Sequence, residues 1–135
     1  MATPADIKDA AFRAALEEAD RLLEAGDYTA ASKKCAETYI LLLAQRPELI
    51  PAPPPNSSGQ NIGSFQSYLR TGRPVWPRTG GLNVVFDEER KPHLTFDKER
   101  FSFSEAAGYY EFLLNELWRV QQAEGPNLDR NHGNV

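Results

Sequence analysis

Cys35 is the one residue of this sequence with the chemistry of a strong nucleophile. A cysteine attacks only as the thiolate, which needs a neighbouring base or positive charge to lower its pKa. Cys35 shares one helical face with Ala31, Thr38 and Leu42, so we expect it on a buried stripe. We therefore interpret it as a small core residue. A single cysteine also excludes an internal disulfide.

The histidines and carboxylates do not form a catalytic or metal-binding pattern. His93 is expected on the polar face of a strand near Asp97, and His132 in a polar tail, without the clustered spacing of metal ligands. Two pairs of adjacent carboxylates occur, Glu17-Glu18 and Glu88-Glu89. Such pairs usually belong to a hydrated surface. We therefore predict no metal and no cofactor, and we do not expect an enzyme.

Arginines alternate with aromatic residues in the middle of the chain. The six candidate binding residues are Phe65, Tyr68, Arg70, Arg73, Trp76 and Arg78. Such a segment can bind a phosphate backbone, stack on bases or hold an acidic peptide. Alternatively, the aromatic rings anchor the segment on the helices, while the arginines offset an acidic surface. The second interpretation is favoured, because charged runs usually serve solvation.

Two amphipathic helices precede this segment. Thr3 and Pro4 are a cap and a first helical residue, so the first helix is predicted over residues 4–25. Gly26 ends it, and Asp27 caps a second helix over residues 28–46 that Pro47 ends. Because one tight turn joins two long helices, the pair is expected to be antiparallel.

The rest of the chain is predicted as a long loop, a β-hairpin and a third helix. Residues 47–81 contain seven prolines and five glycines, which indicates irregular chain. Alternating apolar residues predict strands within 82–97. Ser102 and Glu105 form a capping box for a helix over 103–123, with Gly125-Pro126 as its stop and a flexible tail over 125–135.

The predicted fold class is mainly α with a small β-hairpin (α+β), in a single domain over residues 1–124. The chain has 135 residues, enough to bury a core without disulfides or metals. We expect the three helices to share a core of Phe12, Leu16, Leu23, Leu42, Tyr110, Leu113 and Leu117. The longest apolar run, residues 39–44, is too short to cross a bilayer, and no signal peptide is seen, so a soluble cytoplasmic protein is expected.

Residues 10–47 resemble a single tetratricopeptide-type helical hairpin. The resemblance depends on Gly26-Asp27-Tyr28 at the turn, on Ala31 and on Pro47. It implies a surface that binds peptides or stacks on a neighbouring hairpin. The hairpin is also similar to the helical HEPN families, whose arginine–histidine signature has its nearest match at Arg130-Asn131-His132. The spacing there is shorter, so ribonuclease activity is not expected.

These observations predict a non-catalytic protein-interaction or scaffold module, with a protein partner or a second copy of the chain as its ligand. The alternative is a nucleic-acid or nucleotide-associated protein that uses Arg70, Arg73 and Arg78. The net charge of −4 argues against general nucleic-acid binding. An enzyme whose site is completed by a partner chain ranks last.

Overall fold

Three helices and a two-stranded hairpin are described in the computed structural model, which covers residues 2–50, 76–77 and 81–133, with side chains as far as residue 124. The elements are α1 (Ala10–Glu24), α2 (Tyr28–Gln45), β1 (Leu82–Phe86), β2 (Pro92–Phe96) and α3 (Phe103–Gly133). The predicted α+β class is confirmed.

The first helix begins later than predicted. Pro4–Asp6 forms only a 3-10 turn, after which the backbone of Ile7 is extended. Asp9 then caps α1, its Oδ1 accepting the N–H of Phe12 at 2.9 Å. The break in the helix lets the side chain of Ile7 enter the core, where it is only 2% exposed. Burial of Ile7 and the cap at Asp9 therefore outweigh the start signal at residues 3 and 4.

The helix pair α1–α2 has the predicted tight turn and caps. Gly26 has a φ of 80°, a conformation that favours glycine, and Asp27 accepts the N–H of Ala30 at 3.2 Å. Small buried residues, Ala19 on α1 and Ala31 on α2, allow the two helices to approach closely. α2 ends at Gln45, one residue before its predicted end.

α3 runs parallel to α2, as contacts at both ends show. At the end where both helices begin, the rings of Tyr28 and Phe103 meet edge to face with centroids 5.5 Å apart. At the other end, Arg46 Nη2 lies 2.6 Å from Glu124 Oε2. α2 therefore lies at the centre of the fold, in contact with α1, α3 and the hairpin.

The hairpin places one apolar face against α2. Its antiparallel register pairs Leu82 with Phe96 and Val84 with Leu94, and both strands contact α2. Since an isolated hairpin is marginal in water, this contact stabilises it. Both strands lie within the predicted range of residues 82–97, and Pro92 starts β2.

The core matches most of the prediction, with one residue of α1 and one of α3 less buried than expected. Phe12, Leu16, Leu42, Leu113 and Leu117 are buried as predicted, whereas Leu23 and Tyr110 are only half-buried. Tyr109 is fully buried, and Phe103 is 57% exposed. The buried stripe of α3 is rotated towards Tyr109 because Trp76 packs on that side of the helix.

The last helix extends to Gly133, past the predicted end at residue 123. The chain predicted as a flexible tail from Gly125 is thus helical over most of its length. Pro126 removes one helical hydrogen bond, the one to the carbonyl of Gln122. Gln122 is exposed, so water can solvate the carbonyl that Pro126 leaves without a donor.

Replacing Gly81 by alanine is expected to lower the free energy of unfolding by about 1–3 kcal/mol. Gly81 has a φ of 99°, and an added Cβ would lie 2.7 Å from carbons of Lys98 and 2.9 Å from Phe101 Cε1. Gly108→Ala is the matched control, because no atom lies within 4 Å of its added Cβ. This helical change should stabilise by about 0.5–1 kcal/mol. Urea denaturation measures the free energy of unfolding of both variants. Equal changes in Gly81→Ala and Gly108→Ala would contradict the left-handed backbone and close contacts described at Gly81.

Candidate interaction surface

Three aromatic rings lie at the end of the molecule where α2 and α3 begin, which we call the aromatic end: Phe96 and Phe103, which are exposed, and Tyr28, which is half-buried. Phe103 is 57% exposed and contacts only the edge of Tyr28 among the described rings. Ser102 caps α3, with its Oγ accepting the N–H of Glu105 at 3.2 Å. Phe103 is therefore the first helical residue and has no preceding turn to cover its ring.

Phe96 occupies the last position of β2 and is 48% exposed. Its ring belongs to the hairpin face that packs on α2, and Lys33 of α2 lies over it, with Nζ 5.5 Å from the ring centroid. A lysine over an aromatic face gives a modest cation–π attraction at an exposed site. Phe96 thus presents partly uncovered apolar surface beside the first two turns of α2.

The charges beside Phe103 are largely paired. Lys98 Nζ lies 2.6 Å from Glu105 Oε2, and Glu105 Oε1 accepts the backbone N–H of Ser102 at 2.9 Å. The hydrogen bond with Lys98, followed by that with Ser102, holds the pKa of Glu105 below its usual range. Because the pKa of Glu105 is lower in the folded than in the unfolded chain, its ion pair with Lys98 stabilises the fold at any pH above the unfolded-state pKa of Glu105. This stabilisation is lost as the pH falls through the folded-state pKa.

Trp76, one of the six predicted binding residues, lies in the core. Tyr109 stacks on it at a centroid distance of 4.8 Å and Tyr39 at 5.5 Å, while Phe112 meets it edge to face at 5.7 Å. Its indole N–H donates to the carbonyl of Leu82 at 3.1 Å. At 3% exposure, the ring has no face available for a base or a peptide, and it anchors the chain before β1 on the helices.

The other five predicted binding residues lie outside the described part of the chain: Phe65, Tyr68, Arg70, Arg73 and Arg78. Their binding role stays a prediction. The exposure of Phe96 and Phe103 was not predicted from the sequence. The position of Phe103 directly after the capping residue Ser102 could have indicated its exposure, because it places the ring at the end of the helix.

Cys35 is fully buried, and burial raises the pKa of its thiol to about 12. We expect its reaction with a disulfide reagent at mildly alkaline pH to be more than about a thousandfold slower in the native chain than in denaturant, because little thiolate forms and access is blocked. Absorbance of the released thiol measures both rates. A native rate within about tenfold of the denatured rate would contradict the buried position.

His93 pairs with Asp87 rather than lying near Asp97. The distance between His93 Nε2 and Asp87 Oδ2 is 2.7 Å, because His93 pairs across the hairpin with Val85, two residues before Asp87. The hydrogen bond from His93 lowers the pKa of Asp87. Both side chains are largely hydrated, so the contact has the character of a surface ion pair.

The described residues hold no group of three or more potential metal ligands close together. The carboxylates named from the sequence are surface side chains, and the one buried carboxylate in the described chain, Glu116, pairs with Arg119 Nη1 at 3.1 Å. None of the described helices combines the length and the hydropathy needed to cross a bilayer.

Comparison with known proteins finds no family model, no curated protein and no solved structure that matches this chain.

Proposed function

We propose that this chain is a non-catalytic interaction module that binds a partner protein through the aromatic end. The observation that carries the proposal is the exposure of Phe96 and Phe103 on elements that pack against α2. Aromatic residues are enriched in protein interfaces, where burying their rings releases water. The proposal requires that these two rings belong to one contiguous apolar patch, since contiguous exposed apolar patches mark interaction sites.

A non-catalytic role is supported by the placement of the reactive groups. The thiol of Cys35 is inaccessible and held in its neutral form. Glu105 is paired with Lys98, and His93 with Asp87, on separate elements. No two of these groups are arranged as a nucleophile and its base, which covalent catalysis requires.

The partner is expected to present apolar side chains rather than a dense charge pattern. Lys98, which lies over the ring of Phe101, is already neutralised by Glu105, and Lys33 lies over the ring of Phe96. Burial of the rings should therefore dominate the affinity, and binding should depend only weakly on salt. A nucleic-acid ligand would instead be released steeply as salt increases.

The proposal is tested by affinity capture with the intact chain, run in parallel with the Phe103→Ser variant and with sedimentation velocity over a range of concentrations. We expect the intact chain either to recover a protein that the variant fails to recover or to self-associate in a way that the variant does not. A chain that stays monomeric and recovers the same proteins as Phe103→Ser would contradict the proposal.

A further inference from the structure

A cavity of about 540 Å³ lies between the C-terminal half of α2 and the turn of the hairpin. Its helix side is apolar and is formed by Ile40, Leu43 and Ala44 of α2 and by Ile50 beyond it. The opposite wall is the hairpin turn. Its volume falls within the range of small-molecule sites, about 300–1,000 Å³. The cavity lies at the opposite end of α2 from the aromatic end.

Three charged residues of the turn line this cavity, Glu89, Arg90 and Lys91, and together they carry a net charge of +1, whereas Asp87 and Glu88 of the same turn do not line it. Glu89 and Lys91 cancel one another, with Lys91 Nζ 3.2 Å from Glu89 Oε2. Arg90 donates instead to the neutral carbonyl of Ile50 at 2.9 Å. Among the described residues no carboxylate forms an ion pair with Arg90, although the chain as a whole has a net charge of −4. The apolar cavity is thus bordered by one guanidinium that no carboxylate of the described residues neutralises.

Arg90 is held in position by its backbone as well as by its side chain. It has a φ of 67°, a left-handed conformation uncommon for a residue with a Cβ. The turn is fixed by the N–H of Arg90 donating to the carbonyl of Asp87 at 2.9 Å and by Asp87 Oδ1 accepting the N–H groups of Glu89 and Lys91. A guanidinium has five N–H donors in a planar fork that suits a carboxylate.

We propose that this cavity binds a small organic carboxylate with a compact apolar body. The apolar body contacts Ile40, Ala44 and Ile50, and the carboxylate accepts hydrogen bonds from Arg90. The inference goes beyond the proposed partner-binding role, because it uses neither Phe96 nor Phe103. Charge complementarity favours an anionic ligand, and the apolar wall favours a ligand with little polarity beyond its carboxylate.

The charge requirement is tested by titrating the full chain with octanoate and, separately, with the uncharged octanol, while recording backbone amide chemical shifts. We expect octanoate to shift the amides of Arg90 and Ala44 and to bind more tightly than octanol. Arg90→Gln should weaken octanoate binding about threefold to tenfold and leave octanol binding unchanged. Arg100→Gln is the control, since it changes the net charge equally on an exposed residue away from the cavity.

The location is tested by filling the cavity. Ala44 is exposed and lines it, so Ala44→Trp should reduce octanoate binding at least about tenfold without removing a core residue. Glu37→Trp, an exposed change on α2 outside the cavity, should bind as the unmodified chain does. The site would be overturned by unchanged binding in Ala44→Trp or by the absence of any shift at millimolar octanoate. Equal affinities for octanoate and octanol would overturn the role of Arg90.

Discussion

Replacing Trp76 by alanine is expected to lower the free energy of unfolding by about 3–5 kcal/mol. Trp76 is 3% exposed and joins α2 to α3 through stacking contacts with Tyr39 and Tyr109. Its removal leaves a cavity between these elements and an unpaired carbonyl at Leu82, the first residue of β1. Because small domains are stabilised by only about 5–15 kcal/mol, this loss is a large part of the total. Guanidinium denaturation followed by circular dichroism measures it.

Two further substitutions separate the contributions of Trp76. Trp76→Phe keeps an aromatic ring but cannot donate to Leu82, and should cost about 1–3 kcal/mol through the unpaired carbonyl. Trp118→Ala removes the other tryptophan, which is 37% exposed, and should cost less than about 1 kcal/mol. If Trp76→Ala and Trp118→Ala were equally stable, Trp76 could not be the anchor described.

Replacing Phe96 and Phe103 together by serine is expected to weaken partner binding at least about a hundredfold. Aromatic residues at the centre of an interface contribute about 2 kcal/mol or more each when truncated, and each 1.4 kcal/mol is tenfold in affinity. Both rings are about half exposed in the free chain, so the fold should lose less than about 1 kcal/mol. Titration calorimetry against the captured partner measures the affinity, and thermal unfolding measures the stability.

Leu41→Ser is the matched control for this variant. Leu41 is 57% exposed, as Phe103 is, but lies on α2 beside α1, outside the aromatic end. Its substitution should leave affinity within about twofold of the unmodified chain. An equal loss of affinity in Leu41→Ser and in the double variant would place the interface elsewhere.

The elements with strong local signals were predicted correctly from the sequence. Asp27 caps α2 through its own side chain, and Ser102 with Glu105 forms the reciprocal box that starts α3. Apolar alternation likewise predicted the hairpin, because its period specifies the face that packs on α2. These signals act over three or four residues, so they can be recognised without knowing the tertiary structure.

The features that the sequence did not predict depend on distant residues. Ile7 breaks the first helix because the core accepts its side chain, and Gln121 holds the adjoining backbone, with its Oε1 accepting the N–H of Lys8 at 2.7 Å. Trp76 is separated from Tyr39 and Tyr109 by more than thirty residues on either side. Helical periodicity contains no information about such packing. The packing of Trp76 determines how α3 is rotated about its own axis, and this rotation contributes to the exposure of Phe103.

The most direct test of the aromatic end as the binding surface is hydroxyl-radical footprinting of the free chain and of its complex, whether with a captured partner or with a second copy. The proposal predicts that oxidation of Phe96 and Phe103 falls several-fold on complex formation, while Trp118 stays as reactive as before. Unchanged oxidation of both phenylalanines in a formed complex would contradict it.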